Sequence, residues 1–173
     1  MIETPQTVNK STGTTNPKQQ QDMMSEKYLS FSLNDESYGI PTKHTLEVIH
    51  NNIIITRVPK TPKYLSGIIN LRGKIIPVID LKYKFSLDHT KKANCIIITQ
   101  ITSKDNELIT LGFGADNVTG VFMADESEIE TIPSDTPSTQ CYIKGILKRS
   151  GILYTLLDIQ ELTEGIKLTE GNE

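Results

Sequence analysis

The sequence predicts an all-β protein built from two similar small barrels packed together. From Tyr28 onward, short apolar stretches rich in Ile, Val, Leu, Tyr and Thr are separated by Gly, Pro, Asn and Asp at the intervals of consecutive strands. The segment Pro59 to Leu81 recurs without a gap as Pro137 to Ile159. Each copy also ends in an aspartate followed by a short apolar helical pattern, at Asp80 and Asp158.

Residues 1 to 24 are dominated by Thr, Gln, Asn, Lys, Ser and Pro, with Ile2, Val8 and a few Met residues as apolar anchors. They cannot bury enough surface to offset the entropy of ordering, which predicts a disordered polar tail. Leu29, Phe31 and Leu33 alternate with Tyr28, Ser30 and Ser32, a period of two that predicts a half-buried strand ending at the turn Asn34-Asp35. Tyr38-Gly39-Ile40 starts a second strand limited by Pro41, and Thr45 to Ile49 forms a third extended element before Asn51-Asn52. Val58-Pro59 and Thr61-Pro62 hold the chain extended or turning. Gly67 to Leu71 and Lys74 to Ile79 then form two strands joined by a tight turn at Arg72-Gly73, where Gly73 supplies positive φ.

The repeat organises the rest. One constant offset matches Pro59 with Pro137, Tyr64 with Tyr142, Gly67 with Gly145, Gly73 with Gly151 and Asp80 with Asp158. Apolar character repeats between them, as Ile69 with Leu147 and Val78 with Leu156. A looser copy precedes each: Gly39-Ile40 through Val48-Ile49 resembles Gly112-Phe113 through Val121-Phe122, with Thr45 over Val118. The domain is expected over residues 25–168, with a first repeat at about 28–86, a second at about 95–164, strands open to exchange between them, and a flexible end at 169–173. Asp158 with Glu161 has capping-box spacing for a short C-terminal helix. Closing short strands on themselves removes exposed edges, hence two barrels; a unit of about 60 residues is marginal alone, so the two should pack together.

Composition excludes several function classes. The 173 residues are 36% hydrophobic, and apolar runs such as Cys95 to Ile98 fall far short of the roughly 18 residues of a membrane helix. No secretion signal follows Met1, so a cytoplasmic location without direct membrane contact is expected. A net charge of -3 and no Trp make nucleic acid a poor partner. Two cysteines, Cys95 and Cys141, form no disulfide framework or metal spacing and read as small buried residues. The acidic run Asp125, Glu126, Glu128, Glu130 lacks a calcium loop's glycine and ligand set and reads as a solvated face. His44, His50 and His89 match no zinc or triad pattern. Leu111 to Asp116 lacks the third glycine and the Lys-Ser or Lys-Thr of a phosphate loop. No nucleophile elbow or kinase signature is present. No cofactor, metal or catalytic residue is therefore assigned.

Tyr38-Gly39-Ile40, Leu46-Glu47-Val48-Ile49, the run Gly67 to Leu81 centred on Asn70-Leu71-Arg72-Gly73, and Gly114-Ala115-Asp116-Asn117-Val118 resemble the signature segments of the CheW coupling proteins of bacterial chemotaxis. The resemblance spans residues 26 to 164. It implies two intertwined five-stranded SH3-like barrels without catalysis. The implied role is a scaffold joining the cytoplasmic tips of chemoreceptors to the regulatory domain of the histidine kinase CheA, in membrane-associated receptor arrays. The resemblance further implies a receptor helix lying in an apolar groove between the barrels, at the matching positions Leu29, Thr45, Val48 and Val118. Strand alternation equally makes Leu29 and Val118 core residues. Thr45 stands where the family commonly has an aliphatic residue, which would alter receptor preference. Arg72, at its hairpin tip, is expected to pair with Glu47 or a partner carboxylate and to border the receptor site. For the kinase, the edge Asn52-Ile53-Ile54-Ile55 is the candidate, because alternation leaves Ile54 for the surface. Without a receiver segment or kinase motif in these residues, a stand-alone adaptor is favoured over a module of CheV or CheA. The rival of another class is a small-ligand or enzymatic barrel using His44, Asp116 or Arg72 in a pocket between the barrels.

Overall fold

A computed structural model of the chain describes residues 25–50, 54–132 and 141–167. The expected tail over 1–24 and end over 169–173, together with Asn52, Ile53 and Pro137, lie outside the described residues. β1 (Ser25–Leu33) and β2 (Glu36–Pro41) form a hairpin, followed by a 3-10 turn (Thr42–His44) and β3 (Thr45–His50). The hairpin of β4 (Leu65–Leu71) and β5 (Lys74–Asp80) leads into α1 (Leu81–Lys84). β6 (Cys95–Thr102), β7 (Leu108–Ala115) and β8 (Asn117–Asp125) come next, then a 3-10 turn (Glu126–Glu128) and β9 (Ile129–Glu130). β10 (Ile143–Arg149), β11 (Ile152–Leu157) and α2 (Ile159–Glu164) complete the described chain.

The fold is all-β in two sheets. Among the described residues one sheet runs β3-β6-β7-β5-β4 and the other β8-β1-β2-β11-β10-β9. The orders superpose term by term: β3 matches β8, β6 matches β1, β7 matches β2, β5 matches β11 and β4 matches β10. Each sheet thus combines strands from both sequence copies, since the β1–β2 hairpin joins β8 to β11 while β6–β7 joins β3 to β5. The two parallel pairings repeat the same register, with Val78 opposite Gly112 and Leu156 opposite Gly39. Even β9 has a counterpart: Glu130 pairs with Ile146, and the lone bridge of Thr56 to Ile68 holds the matching place on β4.

Three hydrophobic clusters follow from this exchange. The largest lies between the sheets and contains Leu29, Phe31, Leu33, Tyr38, Ile40, Ile79, Ile97, Leu111 and Phe113. A smaller one lies inside each sheet's own curl, with Ile69, Ile76, Val78, Ile96 and Ile98 in one and Tyr28, Ala124, Leu147 and Leu156 in the other. β1 is therefore buried on both faces, not half-buried: Tyr28 is as inaccessible as Leu33, and Ser30 is buried too. An interior strand flanked by β8 and β2 faces the shared core on one side and its own barrel's core on the other. Each fully buried side chain of this size contributes about 1.5 to 3 kcal/mol.

Local chemistry repeats as well. The β4–β5 turn places both Arg72 (φ 53°) and Gly73 (φ 84°) at positive φ, and Ser150 (φ 52°) and Gly151 (φ 79°) do the same in the second copy. These are the dihedral signs of a type I′ hairpin turn. Asp80 accepts from the Tyr83 amide, and Asp158 accepts from the amides of Gln160 and Glu161. The expected reciprocal bond from Glu161 is not made, because the Asp158 amide donates to the Tyr142 carbonyl at 2.8 Å. A return bond of that kind occurs instead at Asp125, whose amide donates to Glu128 Oε2 at 2.8 Å. Cys95 is buried as expected, but Cys141 is exposed, since it precedes β10 in a turn.

Candidate interaction surfaces

Among the described residues hydrogen bonding leaves each sheet open, and an arginine reaches across each gap. In one sheet Arg72, at the β4–β5 tip, donates to Glu47 of β3 at 3.0 Å. In the other, Arg149 at the end of β10 donates to the Met123 carbonyl of β8 at 2.5 Å and to both Glu128 oxygens at 2.7 and 2.9 Å, with its guanidinium over the Phe122 ring. Side chains thus tie the β4–β5 tip to β3 and the end of β10 to β8. Glu128, read from the sequence as part of a solvated acidic face, is half of this clamp. Its carboxyl is held below its usual range, first by the Asp125 amide and then by Arg149.

β3 and β8 are the matched end strands, each paired with one neighbour among the described residues. Residues opposite one another in an antiparallel pair share a face. Val48 opposes Ile97, and Val118 opposes Phe31, so both lie on the side of the inter-sheet core and pack against it while remaining partly accessible. Leu29 is a core residue, and Val121 opposite it is 51% exposed. Thr45 opposes Thr99 on the same side, and a register shift between Thr45 and Glu47 marks a bulge. Leu46 and Met123 add further exposed apolar surface on these strands. Val121 and Met123 were not singled out from the sequence, although the looser repeat lays Val121 over Val48. Their accessibility comes from β8 being an end strand, which no periodicity reveals.

Ile54 is exposed and Ile55 is borderline exposed. Neither lies in a strand; Thr56 alone bridges to Ile68, so the alternation expected across Ile53 to Ile55 does not operate at these two residues.

Glu26 accepts from Lys43 at 2.5 Å, Lys144 at 2.9 Å and the Tyr28 hydroxyl at 3.0 Å. Burial pushes its carboxyl upward, but these three donors outweigh burial and hold it down at about 2. Burial likewise disfavours the Lys144 ammonium, yet bonds to Tyr28 and Glu26 raise it on balance. This network lines a polar cavity of about 540 Å³ with Ser25, Lys27 and Glu126. A second cavity of about 360 Å³ is lined by Tyr38, Phe85, Tyr142 and Leu157, part of a run of stacked rings from Phe31 through Tyr38 and Phe85 to Tyr142. His44, Arg72 and Asp116 line neither cavity. They are not brought together: Arg72 sits at a hairpin tip and His44 ends a 3-10 turn. Asp116 binds Lys82 and the Asn34 amide. Among the described residues no group of His, Cys, Asp and Glu could hold a metal ion, and no helix is long and apolar enough to cross a membrane.

The fold defines a class of two-sheet β-domain with exchanged hairpins and matched end strands, and comparison with known proteins gives the family. A CheW-like domain matches residues 27–167. Over 146 residues the chain is 34% identical to the chemotaxis protein CheW of Thermotoga maritima, covering 83% of this chain and 91% of that one. It is 32% identical over 136 residues to CheW of Helicobacter pylori, covering 79% and 80%. The crystal structure of the scaffolding protein TtCheW from Thermoanaerobacter tengcongensis superposes with a TM-score of 0.71 at 36% identity, covering 82% of this chain and 94% of that one. The chain belongs to the CheW-like family. It is a non-enzymatic chemotaxis adaptor.

Proposed function

We propose that this adaptor couples the cytoplasmic tips of chemoreceptors to the regulatory domain of the histidine kinase CheA, in receptor arrays beneath the membrane. The observation that carries the receptor side is the pair of matched end strands, which present Val48, Val118 and Val121 beside the inter-sheet core. An amphipathic receptor helix lays its apolar stripe on such a surface. Leu29 forms the floor, Thr45 one wall, and the Glu47–Arg72 pair the polar border. The kinase contacts the segment Asn52, Ile53, Ile54 and Ile55, on the strength of the two exposed isoleucines. Separate sites allow both partners to be held at once, so affinity builds through multivalent assembly and not through one large interface.

Titrating the chain against a receptor cytoplasmic fragment and the kinase regulatory domain, singly and together, tests this. Binding of each at about micromolar strength with simultaneous occupancy is expected. Mutually exclusive binding would refute separate sites, and binding to neither would refute the coupling role.

A further inference from the structure

Among the described residues, Thr45 Oγ1 is a buried side-chain oxygen with no hydrogen-bond partner. Buried polar atoms are almost always paired, and an exception calls for an explanation. Valine has nearly the same shape and would carry no orphaned oxygen; the equivalent position in the second copy is Val118. Among the described residues no neighbouring group bonds the Thr45 hydroxyl, and the polar groups beside it are engaged with other partners. Thr99, directly opposite on β6, bonds to the Leu111 carbonyl, and the Thr42 carbonyl accepts the Thr45 amide. Thr45 as a residue nevertheless stays partly accessible, on an end strand and beside a bulge. One staggered step about χ1 exchanges its hydroxyl for its methyl group.

We infer that the Thr45 hydroxyl is a specificity determinant of the receptor groove: on docking it turns outward and hydrogen-bonds an amide or hydroxyl side chain set within the apolar stripe of the bound helix. The inference rests on the proposed receptor groove and deepens it. An orphaned group that finds its partner only in the complex favours helices carrying that polar residue and discriminates against wholly apolar ones. The free protein is correspondingly less stable than it would be with valine.

Thr45→Val, Thr45→Ser and Val121→Lys test this in thermal unfolding and in titration with a receptor cytoplasmic fragment. Thr45→Val is expected to raise the unfolding midpoint by about 2 to 4 °C and to weaken binding about 3- to 10-fold. Thr45→Ser should bind like the parent, and Val121→Lys should abolish binding without unfolding the protein. A merely structural threonine would not move stability and affinity in opposite directions. Unchanged or tighter binding by Thr45→Val, with Val121→Lys inactive, would overturn the inference and leave the groove standing. Unimpaired binding by Val121→Lys would overturn the groove itself.

Discussion

Lys82 and Asp116 form an ion pair of 2.5 Å in which the lysine side chain is 3% exposed. The pair ties α1 to the junction of β7 and β8, and Asp116 also accepts the Asn34 amide of the β1–β2 turn at 2.7 Å. Lys82 makes a further bond to the Lys91 carbonyl. Removing one member leaves a buried charge uncompensated, which costs about 3 to 5 kcal/mol, whereas replacing the pair by apolar residues is often neutral. Asp116→Ala is expected to lower stability by that amount in urea unfolding. The double variant Lys82→Met, Asp116→Leu should recover most of it; a single variant within about 0.5 kcal/mol of the parent would show the pair to be dispensable.

Glu26 sets an acid limit on stability. A carboxyl whose folded pKa lies below its unfolded value stabilises the fold while ionised. With the folded value near 2 against an ordinary 4.5, the contribution is full above about pH 4.5 and is lost as the pH falls through about 2. Glu26→Gln should therefore be less stable than the parent by about 1 kcal/mol at pH 6, a modest figure because the network is partly solvated. The two stabilities should converge near pH 2. Parallel pH profiles for parent and variant would show that Glu26 is not the group responsible.

Gly67 occupies φ +143°, and a side chain there would run into the Thr56 carbonyl and Ile55. Thr56 approaches because its amide and carbonyl both bond to Ile68 at 2.8 Å. Gly145 stands at the matching place, where a Cβ would lie 2.7 Å from the Glu130 carbonyl and 2.5 Å from Ile129. Gly67→Ala should cost about 1 to 3 kcal/mol through strain and the broken bridge. It should also raise amide exchange at Thr56 and Ile68 selectively, as measured by hydrogen exchange. Unaltered exchange at those amides would mean the Thr56–Ile68 bridge does not depend on the glycine.

The constant-offset repeat makes much of the fold legible in the amino-acid sequence. Gly67 with Gly145, Gly73 with Gly151 and Asp80 with Asp158 hold matching turns, bulges and caps because each residue type answers a local demand of the backbone. Hairpin exchange is less legible, since β1–β2 and β6–β7 pair with strands distant in sequence and nothing local encodes which barrel receives them. The same non-locality hides the second buried face of Tyr28 and Ser30, and the accessibility of Val121. Thr45 can be read as a polar residue at an apolar position, but its lack of a partner depends on where the folded strands place the surrounding polar groups. The residues proposed for the receptor groove are less legible, because exposure of an apolar side chain there follows from which strands end a sheet.

The two arginine clamps differ in strength. Arg72 is highly exposed and makes one bond to Glu47, a pair worth about 0 to 1 kcal/mol. Arg149 is less exposed, grips Glu128 with two bonds, takes a carbonyl and covers an aromatic ring. Arg149→Met is expected to lower the stability by about 1 to 2 kcal/mol, and Arg72→Met by less than about 1 kcal/mol. Equal losses in chemical unfolding would indicate that the added bonds of Arg149 contribute nothing.

Ile54 separates folding from binding most cleanly. At 84% exposed, it makes no burial contribution that a lysine would forfeit, so Ile54→Lys should leave the stability within about 0.5 kcal/mol of the parent. If the kinase buries this side chain, the substitution forces an ammonium into an apolar contact and binding should fall by about 10-fold or more, on the order of 1.4 kcal/mol. Receptor-fragment binding should be unaffected, because Ile54 lies outside the end strands that carry the proposed groove. A titration in which the variant and the parent bind the kinase regulatory domain equally would move the kinase surface elsewhere. Joint loss of kinase and receptor binding would mean that the two sites are coupled through the β3 end of this segment.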